Sequence, residues 1–228
     1  MSLTNMTSYN ERIQDACRSM GVECSAAQSA QLLRYISEMQ KWNKTYNLTA
    51  LREPEQMLIQ HIFDSLSVVP YLSGALKDGA GASPASICDI GSGGGLPGVV
   101  IAVMNPECSV QCIDAVEKKT AFVRQMVGAV NLPNLSATHS RIEQMAPQNA
   151  DIVISRAFAS LLDFATLSGV HVRAGGWLVG MKGKRPDEEI EDLHSKTDWQ
   201  VDHIDPLVVP ELNAQRCLVW MRRKKGNP

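Results

Sequence analysis

The chain has 228 residues, 44% of them hydrophobic and 20% charged, with a formal net charge of −2. That length allows one sizeable α/β core with an extension, or two small domains, and the composition is ordinary for a soluble globular protein. The near-neutral balance argues against bulk attraction to nucleic acid, so any contact with a polyanion must come from local patches.

Six cysteines are scattered at 17, 24, 88, 108, 112 and 217, several inside apolar runs where a thiol acts as a small hydrophobe. No C-x-x-C pair exists, and Cys108 and Cys112 lack partners at metal-site spacing, so no metal is expected. The start Met1-Ser2-Leu3-Thr4-Asn5-Met6 has neither a basic cluster nor an apolar run, and no stretch approaches a membrane span. The expectation is a cytoplasmic protein with reduced thiols and no membrane contact.

In chain order, residues from Tyr9 to Tyr71 read as helical. Ile13, Ala16, Cys17 and Met20 mark one apolar face, and Leu32, Leu33, Ile36, Met39 and Trp42 another, with Ser25 as a cap before the second helix. A third helix is predicted from Pro54, carrying Met57, Leu58, Ile62, Leu66 and Val69. Small residues from Ser73 to Pro84 predict a loop. From Ser86 onward strands are predicted near 86–90, 109–114, 135–139, 151–155, 176–182, 199–208 and 215–222, and helices near 97–104, 117–130, 160–173 and 186–194. The alternation implies a parallel sheet covered on both faces.

The run Ile87-Cys88-Asp89-Ile90-Gly91-Ser92-Gly93-Gly94-Gly95-Leu96-Pro97-Gly98 joins a strand to a helix through five glycines in eight residues. Glycines are required where the chain turns at positive φ or where a ligand approaches the main chain. Free N–H groups at the start of the following helix would favour an anionic ligand group. The run has two parses. Gly93-x-Gly95-x-x-Gly98 fits the dinucleotide fingerprint, whereas Asp-x-Gly-x-Gly-x-Gly from Asp89 resembles the first motif of S-adenosylmethionine-dependent methyltransferases. Asp114 ends the second strand and serves a ribose in either parse. The closing pair of strands without an intervening helix, joined through Pro210-Glu211-Leu212-Asn213-Ala214, favours the methyltransferase arrangement.

Three further segments are more specific. Lys41-Trp42-Asn43-Lys44-Thr45-Tyr46-Asn47-Leu48-Thr49, His61-Ile62-Phe63-Asp64-Ser65 and Ile154-Ser155-Arg156-Ala157-Phe158-Ala159 resemble the GidB/RsmG family. So do Leu-Pro-Gly after the glycine loop and Met181-Lys182-Gly183 at a strand end. The resemblance implies a bacterial methyltransferase acting on guanine N7 in the 16S RNA of the small ribosomal subunit. It implies a Rossmann-like fold with a mostly parallel seven-stranded sheet, a C-terminal antiparallel hairpin and an N-terminal helical extension, divided at 1–53 and 54–228. It assigns Gly91, Gly93, Leu96, Asp114, Ile142, Glu143 and Arg156 to S-adenosylmethionine. Gly94 departs from the family pattern, where Pro is expected, and predicts a slightly looser loop.

Guanine N7 carries an in-plane lone pair and no proton, so attack on a sulfonium methyl requires no general base. No nucleophile or triad is expected, and Arg156 is the one candidate for a catalytic contact, whether to cofactor carboxylate, guanine O6 or phosphate. His61 and Asp64 share a helix face and read either as a brace against the glycine loop or as substrate contacts. Trp42, Tyr46 and Phe158 read as core aromatics or as stacking platforms for a flipped base. Basic residues at Lys182, Lys184 and Arg185, and at Arg222 and Arg223 with Lys224 and Lys225, are the candidate RNA contacts. The competing classes are a methyltransferase for protein or small molecules, an NAD-linked oxidoreductase and a non-catalytic RNA-binding module. No oligomerisation pattern is visible, and a monomer is expected.

Overall fold

A computed structural model describes residues 3–79 and 84–224. Helices α1 (Leu3–Ser19) and α2 (Ala26–Tyr46) open the chain. Ser25 caps α2 through a reciprocal box: its side chain accepts from Gln28 N at 3.2 Å, and Gln28 Oε1 accepts from Ser25 N at 2.9 Å. Asn47 ends the helix in the left-handed region, at φ 50°.

The single helix predicted from Pro54 is divided. α3 (Pro54–Met57) runs into a π-helical turn (Leu58–Phe63) and then α4 (Asp64–Leu66), and α5 (Val69–Gly79) follows. Apolar spacing marks the buried face but cannot register one wider turn, which here turns the Gln60 carbonyl to side-chain donors. The loop predicted from Ser73 is helical as far as Gly79, because Leu72 and Leu76, four apart, bury one face. The rest of that expected loop, residues 80–83, lies outside the described residues.

Strands β1 (Ser86–Ile90), β2 (Ser109–Asp114), β3 (Leu135–His139), β4 (Ala150–Ser155), β5 (Val172–Lys182), β6 (Trp199–Leu207) and β7 (Arg216–Arg223) form one sheet in the order β3-β2-β1-β4-β5-β7-β6. All neighbours pair in parallel except those of β7, which runs against both β5 and β6. Helices α6 (Gly98–Met104), α7 (Glu117–Ala129), α8 (Leu161–Ser168) and α9 (Asp187–Lys196) make the crossovers. The expected helix over 160–173 stops earlier. After a 3₁₀ turn at Gly169–His171, β5 begins at Val172, and its register jumps from Ala150↔Val172 to Ile152↔Trp177.

Strand alternation builds two cores. Ile87, Ile152, Ile154, Leu218 and Trp220 face one way, and Cys88, Ile90, Val153, Val219 and Met221 the other. The first cluster also takes Ile13, Leu32, Ile36 and Met39 from α1 and α2. Apolar packing is therefore continuous across residue 53, where the sequence suggested dividing the chain. Phe122 of α7 carries much of that continuity, lying 5.8 Å from the Tyr35 ring and 5.6 Å from Trp42.

The chain order reverses between β1 and β4, and there a parallel sheet opens a crevice at its strand C-termini. Because β7 is antiparallel, its first residue, Arg216, stands at this edge and its last residues stand at the other. Phe122→Ala is expected to lower unfolding stability by about 3–5 kcal/mol, in one transition in which α2 and the sheet melt together. Urea denaturation followed by far-UV circular dichroism and tryptophan fluorescence checks this, and two separate transitions would refute it.

Candidate active site

The glycine loop folds back on its own strands. Gly91, Gly93 and Gly95 have φ of 67°, 59° and 94°, a region costly to any side chain. Gly91 N and Ser92 N donate to Ile113 O at 2.8 and 3.2 Å, and Gly93 N donates to Asp114 Oδ2 at 2.8 Å. Gly95 N and Leu96 N both donate to Ser92 O at 2.9 Å, and Val99 N donates to Gly95 O at 2.7 Å. A Cβ on Gly93 would meet nothing within 4 Å, so the loop offers bare main chain to open space there.

Asp89 sets the charge of this corner. Its Oδ2 accepts from Gly98 N at 2.7 Å, at the first residue of α6. The carboxyl is fully buried, and burial pushes its pKa up to about 7, against the pull of the Gly98 N–H and Arg156. The first two amides of this helix, Gly98 N and Val99 N, are therefore not free as expected. A carboxyl group and loop carbonyls already occupy them, leaving a poor seat for the pyrophosphate that the dinucleotide parse requires.

Two cavities lie at this edge of the sheet, and the smaller of them adjoins the loop. The smaller, about 160 Å³, is bounded by Gly91, Gly93, Leu96, Thr49 and Ala157. The larger, about 430 Å³, is bounded by Gln60, Asp64, Met181, Lys182 and Arg216. His61 and Arg156 line both and form the wall between them.

That wall is held by one buried carboxylate. Asp64 Oδ2 accepts from Arg156 NH1 at 3.0 Å and Asp64 Oδ1 from Arg216 Nε at 2.8 Å, with the Asp64 side chain only 4% exposed. Arg156 NH1 also donates to Gln60 O at 3.1 Å. The ring of His61 lies between Gln60 O, 3.3 Å from Nδ1, and Thr49 Oγ1, 3.0 Å from Nε2. A carbonyl can only accept, so Nδ1 carries the proton and Nε2 accepts from Thr49. Burial, with Arg156 nearby, pushes the His61 pKa down to about 4. The imidazole is neutral at physiological pH.

Of the residues singled out in the sequence, Gly91, Gly93, Leu96 and Arg156 meet at the smaller cavity. Asp114 stands at the strand end, but each of its oxygens already accepts from main chain, Oδ2 from Gly93 N and Oδ1 from Val116 N at 2.8 Å. Its first task is to shape the loop. Ile142 is buried in a 3₁₀ turn after β3, and Glu143 is exposed, 3.9 Å from Arg141; neither lines the two cavities. Gly94 does not loosen the loop: its carbonyl accepts from Tyr35 Oη at 2.8 Å, and a Cβ would lie 2.7 Å from Met39 Cε.

Lys182 lines the larger cavity, with its ammonium held by Glu189 at 2.8 Å and by the carbonyls of Phe158 and Ala159. Lys184 is exposed, and Arg185 pairs with Asp187 at 2.6 Å. Arg222 and Arg223 lie at the opposite sheet edge, away from the crevice, because β7 runs antiparallel. Lys225 lies outside the described residues. Trp42 packs on Tyr46 and Phe122, and Phe158 stacks on Phe164 at 4.9 Å. Sequence reasoning missed Arg216, Gln60 and Thr49. Arg216 was recoverable, since the antiparallel last strand must start at the ligand edge. Among the described residues no group of three or more His, Cys, Asp or Glu could hold a metal, and no helix is long and apolar enough to cross a membrane.

The two shifted groups act oppositely on stability. His61 titrates near 4 in the fold and near 6.5 when unfolded, so its contribution is present above pH 6.5 and lost as pH falls toward 4. Asp89 titrates near 7 in the fold and near 3.8 unfolded, so stability is lost as pH rises from about 4 to 7. His61→Gln is expected to remove its share of the acid-side loss, to which buried His171 also contributes, and Asp89→Asn the loss on raising pH, both read from denaturation midpoints across pH 4–8. Arg156→Gln should move the His61 titration midpoint upward by NMR, and an unmoved midpoint would break the proposed electrostatic link.

Comparison with known proteins agrees with this geometry. A family model described as GidB, rRNA small subunit methyltransferase G, matches residues 28–219. The chain is 62% identical over 216 residues to the ribosomal RNA small subunit methyltransferase G of Bordetella avium (strain 197N), covering 95% of this chain and 94% of that protein. It is 59% identical over 217 residues to the protein of the same name from Bordetella pertussis (strain Tohama I), covering 95% and 94%. Among solved structures, a SAM-dependent methyltransferase from Aquifex aeolicus superposes with a TM-score of 0.52 at 15% identity, covering 77% of this chain and 96% of that one. The ribosomal protein L11 methylase from Lactobacillus delbrueckii subsp. bulgaricus gives 0.52 at 13% identity, covering 76% and 80%. These two likenesses concern the fold alone. With the family model spanning most of its length and close relatives along nearly all of it, the chain belongs to the GidB family of rRNA small subunit methyltransferases G.

Proposed function

We propose that this enzyme transfers a methyl group from S-adenosylmethionine to N7 of a guanine in the 16S RNA of the small ribosomal subunit. The observation that carries this reading is the pair of adjoining cavities that share His61 and Arg156 as a wall. One is floored by bare glycine main chain and, at about 160 Å³, would take part of the cofactor; the other is polar, larger, and suits an extruded purine nucleotide.

When bound, S-adenosylmethionine supplies an electrophilic sulfonium methyl. Gly91, Gly93 and Leu96 would hold its methionine and adenosine portions, with Asp114 turning the loop toward the ribose. Arg156 and Arg216, fixed by Asp64, present N–H donors to the larger cavity and would orient the purine by its O6 edge. His61, neutral and bonded on both nitrogens, has no proton to remove from N7 and none is required. It closes the wall against water. Asp64 neutralises one of the two guanidiniums beside the purine and so lessens the repulsion that the positive charge developing there would meet.

Small ribosomal subunits from a strain lacking this modification, incubated with methyl-labelled S-adenosylmethionine, should acquire label as N7-methylguanosine. Gly91→Asp should abolish it, since φ is 67° and the new Cβ would lie 3.0 Å from Ala157 Cβ. Arg156→Ala should lower kcat/KM about a hundredfold, the scale of a lost positioned donor. S-adenosylhomocysteine at a hundred times its Kd should stabilise the enzyme by roughly 2.7 kcal/mol, and NADH should not. Label in protein, or at another base atom, would overturn the substrate assignment.

A further inference from the structure

The sheet edge opposite the reaction crevice carries a further cavity, about 360 Å³, lined by Arg173, Arg222, Arg223, Trp199 and the Ala174–Gly176 turn. The register jump between β4 and β5 builds it. Residues 173–176 leave the sheet, turn at Gly175 with φ 75°, and pack Gly176 so closely that a Cβ would lie 2.8 Å from Asp151 O. The excursion carries Arg173 beside the two arginines that end β7.

Each guanidinium is pre-set. Arg222 lies over the Trp177 ring at 5.2 Å and Arg223 over Trp199 at 5.4 Å. Arg173 Nε bonds Asp151 at 2.6 Å, and Arg222 pairs with Asp202. Arg223 is the least committed, with Asp198 at 3.8 Å and Gly169 O at 3.4 Å. A guanidinium has five N–H donors, so these contacts fix orientation while leaving donors for a further acceptor. Stacked arginines lose little side-chain entropy on gripping an anion.

We propose that this cavity is a second RNA-backbone site, taking phosphodiester groups of the ribosomal RNA; it rests on the RNA-methyltransferase reading above. A chain of net charge −2 gains no attraction from its overall field, so an RNA must be held by local clusters such as this one. Strand β7 has eight residues from Arg216 at the crevice to Arg223 at the far edge, which places the site roughly 24 Å from the crevice at about 3.4 Å per residue. Recognition of the substrate is therefore bipartite: one nucleotide enters the crevice while backbone farther along the RNA is held at the back edge.

The test measures binding of the full-length chain to 16S RNA and to intact small subunits across a salt series, with Arg222→Gln/Arg223→Gln and Arg173→Gln variants. Expected is about a tenfold weaker Kd for the double variant, and a salt slope reduced by roughly 0.7–0.9 per lost phosphate contact. KM for RNA should rise in step, with kcat and the Kd for S-adenosylhomocysteine unchanged. Arg223→Lys, which keeps a point charge, should recover most of the loss. Folded variants that bind RNA with wild-type affinity and salt slope would overturn the proposal, as would weaker binding to subunits alone, which would assign the edge to a protein partner. Wild-type enzyme that binds RNA through this edge but labels none would instead overturn the methyltransferase reading and leave the site standing.

Discussion

The arrangement of the crevice depends on one buried carboxylate with two cationic partners. Asp64 comes from the helical segment before the sheet, Arg156 from the turn after β4, and Arg216 from the start of β7. Three parts of the chain that share no local structure are thereby tied at one point, 4% exposed. Removing one partner of a buried ion pair costs about 3–5 kcal/mol, because the remaining charge is left without compensation. Such a group tolerates little movement of its neighbours. The π-helical turn just before Asp64 belongs to the same device, since it directs Gln60 O to Arg156 and seats His61 in the dividing wall.

The glycine loop shows the complementary economy. Most of its amides are taken by Ile113, Asp114, Ser92 and Asp89, so the loop holds its own shape and offers few free donors. A pyrophosphate needs several free donors at one place, whereas a sulfonium ligand needs a closely fitting path. Tyr35 and Met39 press on Gly94 from α2, which makes the N-terminal helices part of the wall of the site as well as of the core.

Much of the fold could be read from the chain because strand and helix periods alternate cleanly after Ser86. Short continuous apolar runs in β1, β4 and β7 mark strands buried on both faces, and the two closing strands reveal the hairpin. The π-helical turn was not legible, since Met57, Leu58, Ile62 and Leu66 keep a helical pattern through it. Nor was the early start of β5, where Ala174-Gly175-Gly176 reads as a break although Val172 is paired with Ala150. In the site, glycines and Arg156 stood out by residue type and context. Arg216 did not, because its place depends on strand direction, which no local pattern near it records. The tail arginines stood out for their charge, and that same antiparallel direction carries them to the far edge.

On the proposed reaction, the crevice holds the same total charge before and after methyl transfer: one positive charge leaves sulfur and appears on the purine. A site that must stabilise a new net charge needs donors aimed at it, whereas charge that moves only the length of a transferring bond is served by fixed geometry. The structure matches the second case. Its one histidine at the wall is neutral and engaged on both nitrogens, its arginines are immobilised by Asp64, and its loop is bonded to itself. Positioning by rigid parts then has to be met by positioning of the RNA. A single nucleotide in a crevice of about 430 Å³ leaves the rest of a long polyanion free to pivot. A second grip roughly 24 Å away restrains that rotation with far more leverage than another contact within the crevice.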